Sequence, residues 1–252
     1  NQPLETTSGG WDTRAATNLS EMFAYSAFNQ SVASWDTESV TNFGNMFKQN
    51  TAYNQSMPTT SGGWDTRSAL SLSGMFDGAT AFNQSVASWD TSAVTFMSAM
   101  FNGATAYNQP MPATPGGWDT GAVTSMRAMF NGATSFDQNI GSWDVRGLTA
   151  GAFSGAGVMF SGALSTANYD ALLVGWGAQD VNADVLLSAG SSVYSVGPPT
   201  DLRAELTGAP NTWTITDGGQ SPAPGAATNV TGVGQNTAVA VSWDAAPIPD
   251  GG

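Results

Sequence analysis

A tryptophan returns through the first two-thirds of this chain at Trp11, Trp35, Trp64, Trp89, Trp118 and Trp143, at spacings of 24, 29, 25, 29 and 25 residues. Eleven residues after each of the first five stands a Met-Phe pair: Met22-Phe23, Met46-Phe47, Met75-Phe76, Met100-Phe101 and Met129-Phe130. A sixth pair, Met159-Phe160, arrives five residues late. Phe28, Tyr53, Phe82, Tyr107 and Phe136 then open the next unit, each followed by Asn-Gln or Asp-Gln. A unit this short cannot bury its apolar face alone, so copies must stack, and equal letters must sit above one another. Units also alternate in length. Val32-Ala-Ser-Trp35 and Val86-Ala-Ser-Trp89 are short, whereas Met57 to Trp64 and Met111 to Trp118 insert four residues rich in Pro, Thr and Gly.

Within one unit the apolar period changes. Phe82-Asn83-Gln84-Ser85-Val86 alternates as a half-buried strand does. After Trp89-Asp90-Thr91 the apolar positions Val94, Met97, Met100 and Phe101 draw one stripe of a helix or tight helical turn. Asp90 or Thr91 is placed to accept its first free N–H groups, and Asn102-Gly103 to end it. The core positions are then Phe82, Val86, Trp89, Val94, Met97, Met100 and Phe101, and the Asn-Gln pairs are placed for amide ladders between units. The expectation is an α/β solenoid: a leucine-rich-repeat-like, right-handed stack with a short strand and a short helix per coil, strands on the concave side.

Composition narrows the function classes. The net charge is −13, with only Arg14, Lys48, Arg67, Arg127, Arg146 and Arg203 as cations. Counterion release cannot drive nucleic-acid binding without a basic patch, and an anionic bilayer repels such a chain. Cys and His are absent, which removes disulfides, thiolate metal sites and imidazole or thiol catalysis. Apolar runs fall well short of the roughly 18 residues of a membrane span, so no membrane insertion is expected. The opening "NQP" matches the interior of a repeat, which predicts further chain before Asn1.

The pattern "WDTxxVTxMxxMFxGATxFNQ" is plainest at Trp89-Asp90-Thr91, Val94-Thr95, Met97, Met100-Phe101 and Phe82-Asn83-Gln84, and again from Trp118 to Gln138. It resembles the BspA-type leucine-rich-repeat surface proteins over roughly residues 1–163. The resemblance implies a solenoid exported to a surface and used for attachment, with Met, Phe, Val and Trp largely replacing leucine here. Residues 164–219, containing "YDALLVGW" and "WTITDGG", resemble the C-terminal closing segment that follows such repeats, an α+β cap. Ser165-Thr166 is placed to start a helix presenting Tyr169, Leu172, Leu173 and Trp176; a strand near Val185–Leu187, a helix near 200–206 and a strand from Trp213 follow. Residues 220–228 read as a linker. Residues 229–252, with Val230, Val233, Val239, Val241 and Trp243, resemble the first strands of a fibronectin type III module, which two strands cannot close.

The recurring Asp residues are the most tempting chemistry. Asp36, Asp65, Asp90 and Asp119 are weak Ca²⁺ candidates, and paired acids would suit a glycosidase. Capping of the adjacent turn is the preferred reading. Neighbouring unpaired carboxylates repel by about 3 kcal/mol at an effective dielectric of 20, and a cap with its helix dipole returns a comparable amount. No resident cofactor is expected. Recognition is better sought where coils differ: Arg14, Glu38 and Arg67 after Trp-Asp-Thr, Lys48, Asp77 and Asn102 after Met-Phe, and the Gly-rich loops 5–10, 58–63 and 112–117. The sequence therefore points to a non-catalytic module displayed outside the cell or on a virion, binding a protein or glycan. The alternatives are a subunit of a self-associating filament or virion fibre, and a glycan-cleaving solenoid enzyme.

Overall fold

A computed structural model of the chain describes residues 12–59, 62–114, 117–149, 152, 159–222, 228–235 and 238–244. From residue 12 to 149 the described backbone holds neither helix nor named strand. Its regularity lies between coils. Single-residue parallel bridges run Asn18, Asn42, Ser71, Phe96, Ser125, one per coil. Beside them each coil donates N–H to the next: Leu19 to Asn42 O (2.9 Å), Phe43 to Ser71 O (3.1 Å), Leu72 to Phe96 O (3.0 Å), Met97 to Ser125 O (3.1 Å). A second column does the same at the Met-Phe pairs, from Phe23 N to Met46 O through Phe101 N to Met129 O, each at 2.9 Å. The bridges thus lie beside the Thr-Asn and Thr-Phe pairs, not over Phe82–Val86, where alternation suggested a strand.

The expected short helix is also replaced. The residue before each Met is left-handed at Glu21 (φ 59°), Asn45 (56°), Gly74 (62°), Ala99 (56°) and Ala128 (55°). The second residue after each Phe repeats this at Tyr25, Gln49, Gly78, Gly103 and Gly132. Left-handed residues every few positions cannot lie in an α-helix. The segment closes instead through four-residue β-turns, such as the one held by Met100 N to Met97 O (3.3 Å). Neighbouring helices need about 8–10 Å of separation, and extended chains hydrogen-bond at about 4.8 Å. N–H groups committed to the next coil therefore fix the tighter pitch.

Inside the stack, Phe82, Val86, Trp89, Val94, Met97, Met100 and Phe101 are all fully buried. Two aromatic columns run through it. Phe23, Phe47, Phe76, Phe101, Phe130 and Phe160 succeed one another at centroid separations of 5.5 to 5.7 Å, with nearly parallel planes. Phe28, Tyr53, Phe82, Tyr107 and Phe136 follow at 5.9 to 6.2 Å. Within each coil the two columns touch at 3.8 to 3.9 Å. Such ring pairs add about 1 kcal/mol each beyond their burial, more than an exposed ion pair usually provides. Indoles pair as Trp64–Trp89 and Trp118–Trp143, 5.8 and 5.9 Å apart. Trp89 and Trp143 donate Nε1–H to Met57 O and Met111 O of the preceding long coil. In the long coils themselves the Trp64 and Trp118 indole N–H groups and the Tyr53 and Tyr107 hydroxyls are buried without a partner among the described residues.

Past Phe160 the inter-coil hydrogen bonds continue but helices enter the loops. Phe130 bridges Phe160, Phe160 N donates to Ser188 O (3.3 Å) and Ala189 N to Thr216 O (2.8 Å). Helix α1, Thr166–Gly177, buries Tyr169, Leu172, Leu173 and Trp176. Strand β1, Leu186–Ser188, lies parallel to β2, Thr214–Thr216, with Leu187 opposite Ile215. Helix α2, Pro198–Thr207, lies between them in sequence and packs on α1. Beyond, β3 (Thr228–Gln235) and β4 (Ala238–Asp244) form an antiparallel hairpin. The side chains of Val230, Val233, Val239, Val241 and Trp243 lie outside the described residues, as do Trp11 and the loop 5–10.

Candidate binding surface

The polar letters of the repeat resolve into columns, each with a local duty. In every coil the Asp after Trp folds back on its own turn, its Oδ1 accepting the N–H two residues on. The pairs are Asp12–Arg14, Asp36–Glu38, Asp65–Arg67, Asp90–Ser92, Asp119–Gly121 and Asp144–Arg146, at 2.8 to 3.2 Å. These are Asx turns, so the expected helix cap becomes a turn cap because no helix follows. The next residue ties the coils together. Thr37, Thr66, Thr91 and Thr120 donate their hydroxyls to the carbonyls of Asp65, Asp90, Asp119 and Asp144, one coil on, at 2.6 to 2.9 Å.

Where Arg follows two residues after the Asp, it clamps the carboxylate, as Arg14 does Asp12, Arg67 Asp65 and Arg146 Asp144. The Arg14 hydrogen bonds lower the Asp12 carboxyl to about 2. Burial pushes Asp65 up, but hydrogen bonds from Arg67 outweigh it and hold the carboxyl below the usual range. Arg146 does likewise for Asp144, chiefly through its side-chain hydrogen bonds and against a smaller effect of burial. Among the described residues, no three of Asp, Glu, Cys or His come together at metal-binding distances. The Ca²⁺ candidates Asp36, Asp65, Asp90 and Asp119 instead occupy successive turns, each engaged with its own backbone.

A second column is built from amides. Asn29 Oδ1 accepts from Asn54 N (3.0 Å) and Gln55 Nε2 (3.0 Å); Asn54 does the same for Asn83 and Gln84, Asn83 for Asn108 and Gln109, and Asn108 for Asp137 and Gln138. The ladder ends on a charge. Asp137 Oδ1 accepts from Ser165 N (2.8 Å), the Ser165 hydroxyl (2.9 Å) and Asn168 Nδ2 (2.8 Å), joining the repeats to α1. Burial opposes ionisation of Asp137, but these donors hold its carboxyl below the usual range.

The six partner-binding candidates fall into two columns. Arg14, Glu38 and Arg67 share one, where Arg67 also reaches Glu38 at 3.8 Å. Lys48, Asp77 and Asn102 share the other. Lys48 Nζ meets Asp77 Oδ2 at 3.2 Å, Asn102 Nδ2 donates to Asp77 Oδ1 at 2.6 Å, and Asn131 Nδ2 donates to Asn102 Oδ1 at 3.0 Å. The polar atoms of this second column are directed at one another along the stack, the sequence having given no sign that variable positions would pair internally.

Residues that sequence reasoning passed over stand out instead by exposure. Leu70 is 50% and Phe96 51% exposed on the bridge-bearing side of the stack, and Arg127 is exposed one coil beyond. The signal was available: aligned coils place Thr41 and Thr95 at the Leu70 position, Asn42 and Ser71 at the Phe96 position, and Ser73 and Ser98 at the Arg127 position.

Compared with known proteins, the chain matches the family model described as "Mycoplasma protein of unknown function, DUF285" twice, over residues 1–110 and 57–170. No curated protein and no solved structure matches it.

Proposed function

Starting from the fact that this chain belongs to the DUF285 family, we propose that it is a non-catalytic binding module of the BspA type. In this reading it is displayed outside the cell on a leucine-rich-repeat-like, right-handed solenoid and holds a protein or glycan partner at a cell or virion surface. One observation carries the reading. The repeated polar side chains are engaged in turn capping and inter-coil ladders, whereas Leu70 and Phe96, two apolar side chains that break the repeat, face solvent. A chain organised in this way uses its repeats as a rigid support and its departures from the repeat as the recognition surface. The carboxylates are no exception. Glycosidase acids act as a facing pair across a substrate, and these Asp residues line up along one edge, each accepting from its own backbone.

The test is attachment of the intact chain, immobilised on beads, to cell surfaces and to purified matrix proteins and glycans. Binding that falls in steps as two-coil units of 54 residues are deleted is the expected result. Turnover of a polysaccharide, abolished by one interior carboxylate substitution such as Asp90→Asn, would reverse the reading.

A further inference from the structure

Three departures from the repeat fall in consecutive coils on one side of the stack. Leu70 in the third coil stands where the others carry Thr17, Thr41, Thr95 and Thr124. Phe96 in the fourth pairs in the bridge column with Ser71 and Ser125. Arg127 in the fifth lies two residues after Ser125. Met97 and Met126, next to Phe96 and Arg127, are fully buried, so alternation turns Phe96, Ser98, Ser125 and Arg127 outward together. The Ser98 and Ser125 hydroxyls do touch there, at 2.9 Å. Phe96 N donates to Leu70 O (3.4 Å), which makes the two diagonal neighbours along the backbone of adjacent coils. Two residues of rise and one coil step put Arg127 about 8 Å from Phe96 along the backbone.

Charge marks this diagonal as more than a chance exposure. Five of the six cations, Arg14, Lys48, Arg67, Arg146 and Arg203, each hold a carboxylate of this chain. Arg127 is the one without an ion pair among the described residues. In a chain of net charge −13, a guanidinium without an ion pair among the described residues, about 8 Å along the backbone from an exposed phenyl ring, calls for an anion from outside. Aromatic and Arg side chains are also the types enriched at the centres of protein interfaces. The surrounding hydroxyls are already engaged, Thr95 with Leu70 O and Thr124 with Thr95 O. The patch therefore offers an apolar pair and one charge, and few free groups to read the hydroxyls of a sugar.

We infer that Leu70, Phe96 and Arg127 form a docking site for an extended peptide segment of a partner protein, one bearing an apolar side chain and, two residues away, a carboxylate. Residues i and i+2 of an extended peptide lie on one face about 7 Å apart, which matches the Phe96–Arg127 offset. The apolar side chain covers Leu70 and Phe96, and the carboxylate pairs bidentately with Arg127. The site rests on the reading of the chain as a binding module and names its partner class.

A random heptapeptide library displayed on phage, selected on the full chain, tests it. Peptides with an apolar residue two positions from Asp or Glu are expected to be enriched. The best of them, synthesised and labelled, should bind Phe96→Ser and Arg127→Ser about tenfold more weakly and Arg14→Ser unchanged. Both Ser substitutions restore the residue that neighbouring coils carry, so the stack stays intact. No enrichment, enrichment of peptides without a carboxylate, or equal binding by both variants overturns the site. So does binding to a uronic-acid glycan array that both substitutions abolish, which would transfer the patch to a glycan. Cell attachment by the intact chain separates the two levels. Attachment indifferent to both substitutions removes this site and leaves the module, whereas peptide binding without any attachment removes the module and leaves the site.

Discussion

Residues 12–149 and residues 159–222 carry the same inter-coil hydrogen bonds by different means. In the first region rings stack on rings, left-handed residues fold each turn, and polar side chains ladder from coil to coil. In the second, β1 and β2 keep the parallel pairing at a step of 28 residues, Ser188 to Thr216, but α1 and α2 fill the loops with backbone bonded to itself. A helix occupies more width than a tight turn, so further coils of the first kind cannot follow it in register. The contrast shows what ends such a stack: a change in where the N–H groups go, with no interruption of the central pairing.

The sharpest way to break the contrast is at the junction. A Cβ on Gly175 of α1 would stand 1.9 Å from Gly141 O, a clash with backbone that no rotamer relieves. Gly175→Ala is expected to cost about 3 kcal/mol and to split thermal unfolding into two transitions by calorimetry. In the repeats Gly103→Ala meets only the Gly78 backbone, Cα at 3.5 Å and N at 3.6 Å, and costs about 1 kcal/mol for its left-handed backbone, so equal losses at the two glycines would erase the distinction. Next comes Asp137→Ala, which strands the Ser165 N–H and hydroxyl and leaves Asn168 Nδ2 only the Asp137 carbonyl; it is expected to cost about 2 kcal/mol in denaturant unfolding, with Asp137→Asn recovering part.

Acid probes the joint and the repeats together. Asp65, Asp137 and Asp144 have folded-state pKa values below their unfolded value of about 3.9. Their contribution is therefore full above about pH 4 and is lost as pH falls through the folded values. A melting temperature that stays flat from pH 5 to pH 2 would contradict the clamps. The smallest change expected is a gain. Tyr53→Phe and Tyr107→Phe remove hydroxyls buried without a partner among the described residues and supply the ring already present at Phe28, Phe82 and Phe136. Each should stabilise by about 1 kcal/mol, and a loss of that size would mean the hydroxyls are bonded in solution.

How far the sequence could be read depended on the physics of each feature. Identical apolar letters at a fixed step have one economical use, so the buried set from Phe82 to Phe101 followed from the period alone. The amide ladder followed likewise, because Asn-Gln recurs at the same phase. The spacing of Val94, Met97, Met100 and Phe101 suggested a helix, since apolar period reports which side chains face inward and not how the backbone turns them. The left-handed residues that decide this are hidden in spelling: Ala99 and Ala128 occupy the position of Gly74, and Ala carries no conformational signature. For the candidate surface, Arg14, Glu38, Lys48, Arg67, Asp77 and Asn102 stand out as variable positions, but their pairing along the stack depends on a pitch that only the folded backbone sets. Leu70 and Phe96 escaped notice because apolar letters read as core until the fold turns them outward, and Arg127 because its lack of an ion pair among the described residues shows only once the other cations are seen paired.

The alternation of Phe and Tyr at one ring position, in step with short and long coils, has a consequence for how such chains can change length. Trp35 to Trp89, Trp64 to Trp118 and Trp89 to Trp143 are each 54 residues. Losing or gaining one such pair leaves every ring beside the kind of neighbour it already has. Losing residues 82–106 alone would set Tyr53 against Tyr107 and one four-residue insertion directly beside another. Growth and shrinkage by unequal crossing-over are therefore tolerated in even numbers of coils, and any array of this design carries its own parity rule.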